Sequence, residues 1–149
     1  MDISARVRIL ASIKTGSVYY FEEEKLSSTE PHYFIVLNKN PRTEEILILV
    51  CASSQVEKRQ QIAQKLGFSN ETLVVVSPSD YSLFIKDTII DCNNAFEKTA
   101  QSLIDKLEEG KLGVCTELMP TEIVQKLIKG VIMSTQIAEN IQKMLKNEK

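Results

Sequence analysis

Histidine occurs once in this chain, at His32, and cysteine three times, at Cys51, Cys92 and Cys115. Three is an odd number, and the thiols are in no metal-like spacing, so neither a disulfide framework nor a zinc module is expected. Each cysteine lies in an apolar stretch, which reads as a buried free thiol in a reducing compartment. Basic excess is also lacking: 18 Lys and Arg face 20 Asp and Glu, for a net charge of −2 and a pI near 5.5. That balance excludes a large duplex-DNA footprint but leaves room for a groove holding a short single strand. No apolar run approaches the ~20 residues of a membrane span. The opening MDISARVRILASI has an acid at its second position and arginines among its apolar residues, the wrong order for a signal peptide. The expectation is a cytoplasmic protein with no membrane partner, no metal and no cofactor.

What is present suits one domain over 1–149. At 149 residues and 43% hydrophobic content, such a chain buries roughly 68–70% of its unfolded surface. No long linker, low-complexity stretch or repeat interrupts it. Residues 3–13 fit a short helix or a first strand. Gly16 then punctuates, and SVYYFE, 17–22, is rich in β-formers. EEEKLSSTEP, 22–31, is polar and turn-like. YFIVL, 33–37, is a nearly continuous apolar run, which suits a strand covered on both faces or curled into a barrel. NKNPRTE, 38–44, reads as a hairpin connection, and EILILVCA, 45–52, as the next strand.

The second half adds helices. VEKRQQIAQKLG, 56–67, has helical apolar spacing with Gly67 as a C-terminal cap. TLVVVS, 72–77, and DTIIDC, 87–92, are strands separated by the turn PSDYS, 78–82. NAFEKTAQSLIDKLEEG, 94–110, reads as one helix ending at Gly110. KLGVCTEL, 111–118, is a last strand or an extended link. From Pro120, apolar residues recur at spacings of three and four through Leu145. Gly130 and Ser134–Thr135 interrupt them, which predicts a bend or two successive helices. The tally is five or six short strands, antiparallel because the first three are joined by loops without crossover helices. The fold class is α+β: a small curled antiparallel sheet or SH3-like barrel, with helices on one side. Its core is expected at about 16–118 and its C-terminal helices at about 120–146.

Three stretches resemble the MazF/PemK family of toxins from bacterial toxin–antitoxin systems. They are GSVYYFE, 16–22, leading through a polar loop to PHYFIVL, 31–37; then ILVCASS, 48–54; then DTIIDCNNAFEKT, 87–99, followed by LIDKL and GKLG. The resemblance implies a small SH3-like barrel, a homodimer, an antitoxin partner and metal-free cleavage of single-stranded RNA. The sequence departs from the family pattern in three places. Ser17 follows the glycine where the family favours Asp. Ser53–Ser54 stands for a Thr-Ser pair. Pro31 and His32 occupy the neighbourhood of an arginine that the family uses in catalysis.

Metal-free RNA cleavage needs a base for the 2′-hydroxyl, positive charge or donors for the phosphorane, and an acid for the leaving 5′-oxygen. His32 is the candidate acid or base, because imidazole exchanges protons near neutrality. Ser53, with His32, completes the candidate catalytic pair. Ser54 and Arg42 are candidate phosphate ligands. Tyr81, in the loop SPSDYS, 77–82, is a candidate for stacking a base. Each has a plainer reading: a solvated strand-start histidine, a helix N-cap at Ser54, a solvated turn arginine, a tyrosine covering the core edge. A Cys51–His32 nucleophilic pair is disfavoured by the apolar run around Cys51. The alternatives to a ribonuclease are a non-catalytic protein-interaction module on the same barrel, and a regulatory protein that binds a partner through its C-terminal apolar helices.

Overall fold

The computed structural model describes residues 3–26 and 30–146. Seven strands form one antiparallel sheet: β1 (Val18–Phe21), β2 (His32–Val36), β3 (Leu47–Ser53), β4 (Leu73–Val76), β5 (Thr88–Asp91), β6 (Phe96–Lys98) and β7 (Leu112–Val114). The order is β4-β5-β3-β2-β1-β7, with β6 also paired to β3. β3 is the hinge of the sheet. Its first half, Leu47–Leu49, pairs with β6, and its end, Ala52–Ser53, pairs with β5. With β2 as well, β3 serves three ladders, and the sheet curls about it; among the described residues no ladder joins the sheet's ends, so it is a curled sheet rather than a closed barrel.

The remaining choices are made by packing. Residues 3–13 hold the helix α1 (Ala5–Ser12), capped by Ser4, whose side chain accepts from the Val7 N–H. α2 (Val56–Leu66) ends at Gly67 in the left-handed conformation (φ 77°), which glycine adopts without strain. The stretch 94–110 is not one helix. Phe96–Lys98 is β6, and α3 (Ala100–Glu108) starts at Thr99, whose side chain accepts from the Ser102 N–H. Helical spacing hid this strand because Phe96 is in register with Leu49, and that pairing is a long-range contact. The C-terminal region is two helices, α4 (Thr121–Met133) and α5 (Glu139–Lys146). The break falls after Met133, and α4 runs unbroken through Gly130. Gln142 Nε2 donates to the carbonyls of Val131, Ile132 and Ser134, satisfying the end of α4.

Period-two alternation along the strands feeds two cores. Phe34, Val36, Leu47 and Leu49 face Ile9, Leu103 and Ile104 of α1 and α3. Ile35, Leu37, Ile48 and Val50 face Val124, Leu127, Val131 and Ile141 of α4 and α5. Helices therefore cover both faces of the sheet, not one, which explains why YFIVL and ILILV read as continuous apolar runs. Each fully buried aliphatic or aromatic side chain contributes about 1.5–3 kcal/mol. Asn38, 1% exposed, holds the β2–β3 connection: its Oδ1 accepts from the Ile48 N–H, and its Nδ2 donates to Glu44 and to the Ile46 carbonyl. Among the described residues, no helix is long and apolar enough to cross a membrane.

Candidate functional site

At the rim where β2 begins and β3 ends, the sheet opens into a cavity of about 550 Å³. Its walls come from the loop entering β2, the exit of β3, the first turns of α2 and the segment 83–88. His32, Ser53 and Ser54 all line it. The β2–β3 ladder ends at the Phe34–Cys51 pair. Beyond it His32 pairs with Phe21 of β1 and Ser53 with Ile89 of β5, and the two stand at the strand ends that frame the cavity.

His32 Nδ1 lies 2.9 Å from the Glu30 carbonyl oxygen. A carbonyl can only accept, so Nδ1 carries the hydrogen, and in the neutral ring Nε2 keeps its lone pair. Ser53 Oγ accepts from the Gln55 N–H at 3.1 Å, which leaves the hydroxyl hydrogen free to donate. Gln55, not Ser54, occupies the N-cap position of α2, and no side chain caps that end. Ser54 is instead exposed on the cavity wall.

Arg42 and Tyr81 are placed elsewhere. Arg42 folds back on α1: its Nε donates to the Ile13 carbonyl and its Nη2 to the Ala11 carbonyl, both at 3.1 Å. The guanidinium thereby satisfies the orphan carbonyls at the end of α1. Tyr81 is 2% exposed, and its hydroxyl donates to the Glu117 carbonyl at 2.6 Å. Its ring meets Phe84 edge-on within the core, so it offers no face for stacking.

Sequence reasoning passed over the cavity's own cations, Lys58, Arg59 and Lys86. Lys58 and Arg59 lie on the first turns of α2, and α2 is carried to the rim directly by β3. Arg59 is half-buried, and among the described residues none of the three side chains makes a hydrogen bond or ion pair. Lys58 and Arg59 would have been found by asking which charged side chains follow a strand ending at the site within two helical turns; Lys86, in the segment before β5, carries no such signal. Tyr20 and Tyr33 also line the cavity, with ring centroids 4.6 Å apart.

The thiols are poor nucleophiles. Burial pushes Cys51 up to about 12, against the opposing pull of the Arg59 charge, and Cys92 also up to about 12. Cys115 is raised to about 11, again by burial. All three are free, and a Cys51–His32 nucleophilic pair therefore has no thiolate to work with near neutrality. Among the described residues, no three His, Cys, Asp or Glu side chains gather to hold a metal ion. Compared with known proteins, the chain matches no family model and no curated protein.

Proposed function

We propose that the cavity binds single-stranded RNA and cleaves it by metal-free transesterification. The observation that carries this reading is the convergence of His32, Ser53 and the unpaired Arg59 on one cavity. In the reaction, His32 Nε2 takes the proton from a 2′-hydroxyl. The 2′-oxygen then attacks the adjacent phosphorus, and the bond from phosphorus to the 5′-oxygen breaks. A 2′,3′-cyclic phosphate and a 5′-hydroxyl result, the leaving oxygen taking its proton from water at the open mouth. Arg59 supplies the forked, permanent cation for the phosphorane that imidazole lacks. Ser53 donates its hydroxyl hydrogen to a phosphate oxygen, and Lys58 and Lys86 draw the backbone to the rim.

This reading answers the sequence's largest departure from the toxin pattern. No arginine stands just before β2, but Arg59 lines the same cavity from α2. An antitoxin as a second partner, a homodimer and a cytoplasmic setting belong to the same proposal. A second reading, a non-catalytic protein-interaction module, is favoured by Ile85, which stands 93% exposed on the cavity wall. Incubating the purified protein with labelled single-stranded RNA in the presence of a chelator separates the two. Fragments ending in cyclic phosphate, lost in His32→Ala, are the expected result. Intact RNA at stoichiometric protein would overturn the ribonuclease reading and leave the interaction module.

A further inference from the structure

The chain has four tyrosines and no tryptophan, and the four divide into two kinds. The hydroxyls of Tyr19 and Tyr81 are held inside the fold, by Ser12 and by the Glu117 carbonyl. Tyr20 and Tyr33 line the cavity, and neither hydroxyl bonds to any described residue. Tyr20 pairs with Tyr33 across the β1–β2 ladder and with Gly113 across the β1–β7 ladder. The result is one row across three strands, Gly113, Tyr20 and Tyr33, in which two aromatic rings are flanked on one side by a glycine. Tyr33 is backed on its other side by Phe84, edge-on at 5.3 Å. Tyr20 is 39% exposed, and its β7 neighbour Gly113 sets no side chain against it.

Successive strand residues point to opposite faces, so Tyr33, paired with Tyr20, and His32, paired with Phe21, leave the sheet on different sides, yet Tyr20, Tyr33, His32 and Ser53 all line the one cavity at the open rim. We infer that Tyr20, buttressed by Tyr33, is a stacking platform for one unpaired nucleobase beside the scissile phosphate. The inference rests on the RNA reading and adds the part of the ligand that the cations do not bind. A base held on Tyr20 must be unstacked, so the site selects single strands over duplex. The row also assigns Gly113 a role. A Cβ there would sit 3.7 Å from the Tyr20 Cβ, an ordinary contact, so a larger side chain fits the strand and covers the ring.

The test uses a labelled oligoribonucleotide, and a set in which one nucleotide at a time is abasic, measured by anisotropy in the His32→Ala protein so that nothing is cut. Tyr20→Ala is expected to weaken binding of the full oligonucleotide by about 10-fold. It should have no further effect on the abasic oligonucleotide that lacks the stacked base. Gly113→Leu should weaken binding by a similar factor. Tyr20→Trp, as the only tryptophan, should keep binding and have its fluorescence quenched by the full oligonucleotide but not by that abasic one. Equal losses on every abasic oligonucleotide, or an unquenched tryptophan in a bound complex, would overturn the platform and leave the RNA reading standing. Absence of RNA binding by the His32→Ala protein and by the wild type would overturn both.

Discussion

His32 and Ser53 line one cavity just beyond the Phe34–Cys51 pair that ends the β2–β3 ladder. The two are 21 positions apart in the chain and come together only because the β2–β3 connection sets that register. Asn38 secures it by bonding the Ile48 N–H at 2.6 Å. Removing the imidazole should cost about 10²–10⁴-fold in cleavage rate, the range for a positioned proton-transfer group. His32→Ala should still bind RNA within a few-fold of the wild type. Ser53→Ala should lower the rate less, because it removes one donor and no proton transfer. Single-turnover rates with the binding constant measured alongside check this, and an unchanged rate in His32→Ala would rule out the assigned base.

Two arginines that look alike in sequence should behave oppositely. Arg59→Ala is expected to reduce cleavage by about 10²–10³-fold, like loss of a transition-state donor. It should also lower the salt dependence of RNA binding by about 0.7 in the slope of log K against log salt. Arg59→Lys keeps the charge but loses the fork, so it should restore the salt slope more fully than the rate. Arg42→Ala should leave both unchanged and instead lower stability by about 1 kcal/mol through the uncapped end of α1, because the group is exposed. Kinetics and thermal melts on the three variants decide the assignment.

Gly130 lets α4 lie against the segment before β4 and the end of β5. A Cβ at this position would meet Cys92 Sγ and the Glu71 carbonyl oxygen, each at 2.9 Å. Alanine improves helix propensity by about 1 kcal/mol. The overlap with a backbone carbonyl costs about 1–3 kcal/mol, so the net effect of Gly130→Ala should be destabilising. Adding Cys92→Ala removes the sulfur but not the carbonyl. The double variant should therefore recover less than the whole loss relative to Cys92→Ala alone, a comparison that denaturant unfolding of the four proteins provides.

Glu23 carries the main pH-sensitive contact outside the cavity. Its carboxylate meets Lys98 at 2.5 Å with side-chain exposures of 4% for Glu23 and 19% for Lys98. Burial pushes the Glu23 carboxyl up. The Lys98 and Lys25 hydrogen bonds, with the charges of Lys98 and Lys106, outweigh it and bring the carboxyl below its ordinary value of 4.5. A depressed folded value means that the carboxylate adds stability above the unfolded value. That stability is lost as pH falls through the folded value. Glu23→Gln should flatten the stability profile below about pH 4.5, and Lys98→Met should cost about 3 kcal/mol at neutral pH by stranding the carboxylate. Denaturation midpoints from pH 7 to 3 give both.

Local chemistry was sufficient for much of this protein. Apolar alternation, the turn residues at 38–44 and 78–82, and the glycine after Leu66 are short-range signals, and they determined the first five strands and α2 within a few residues. The same signals determined the α+β class and put His32 and Ser53 at strand ends. What the chain does not encode locally is which strand ends share a rim. The pairing of Phe96 with Leu49, the retreat of Arg42 onto α1 and the burial of Tyr81 beneath the 117 carbonyl all depend on contacts between distant residues. Tertiary structure alone brought Arg59 to the imidazole's cavity and set Tyr20 between a glycine and a second tyrosine. Side-chain position across a sheet follows from register, and register follows from the packing of two cores rather than from any one segment.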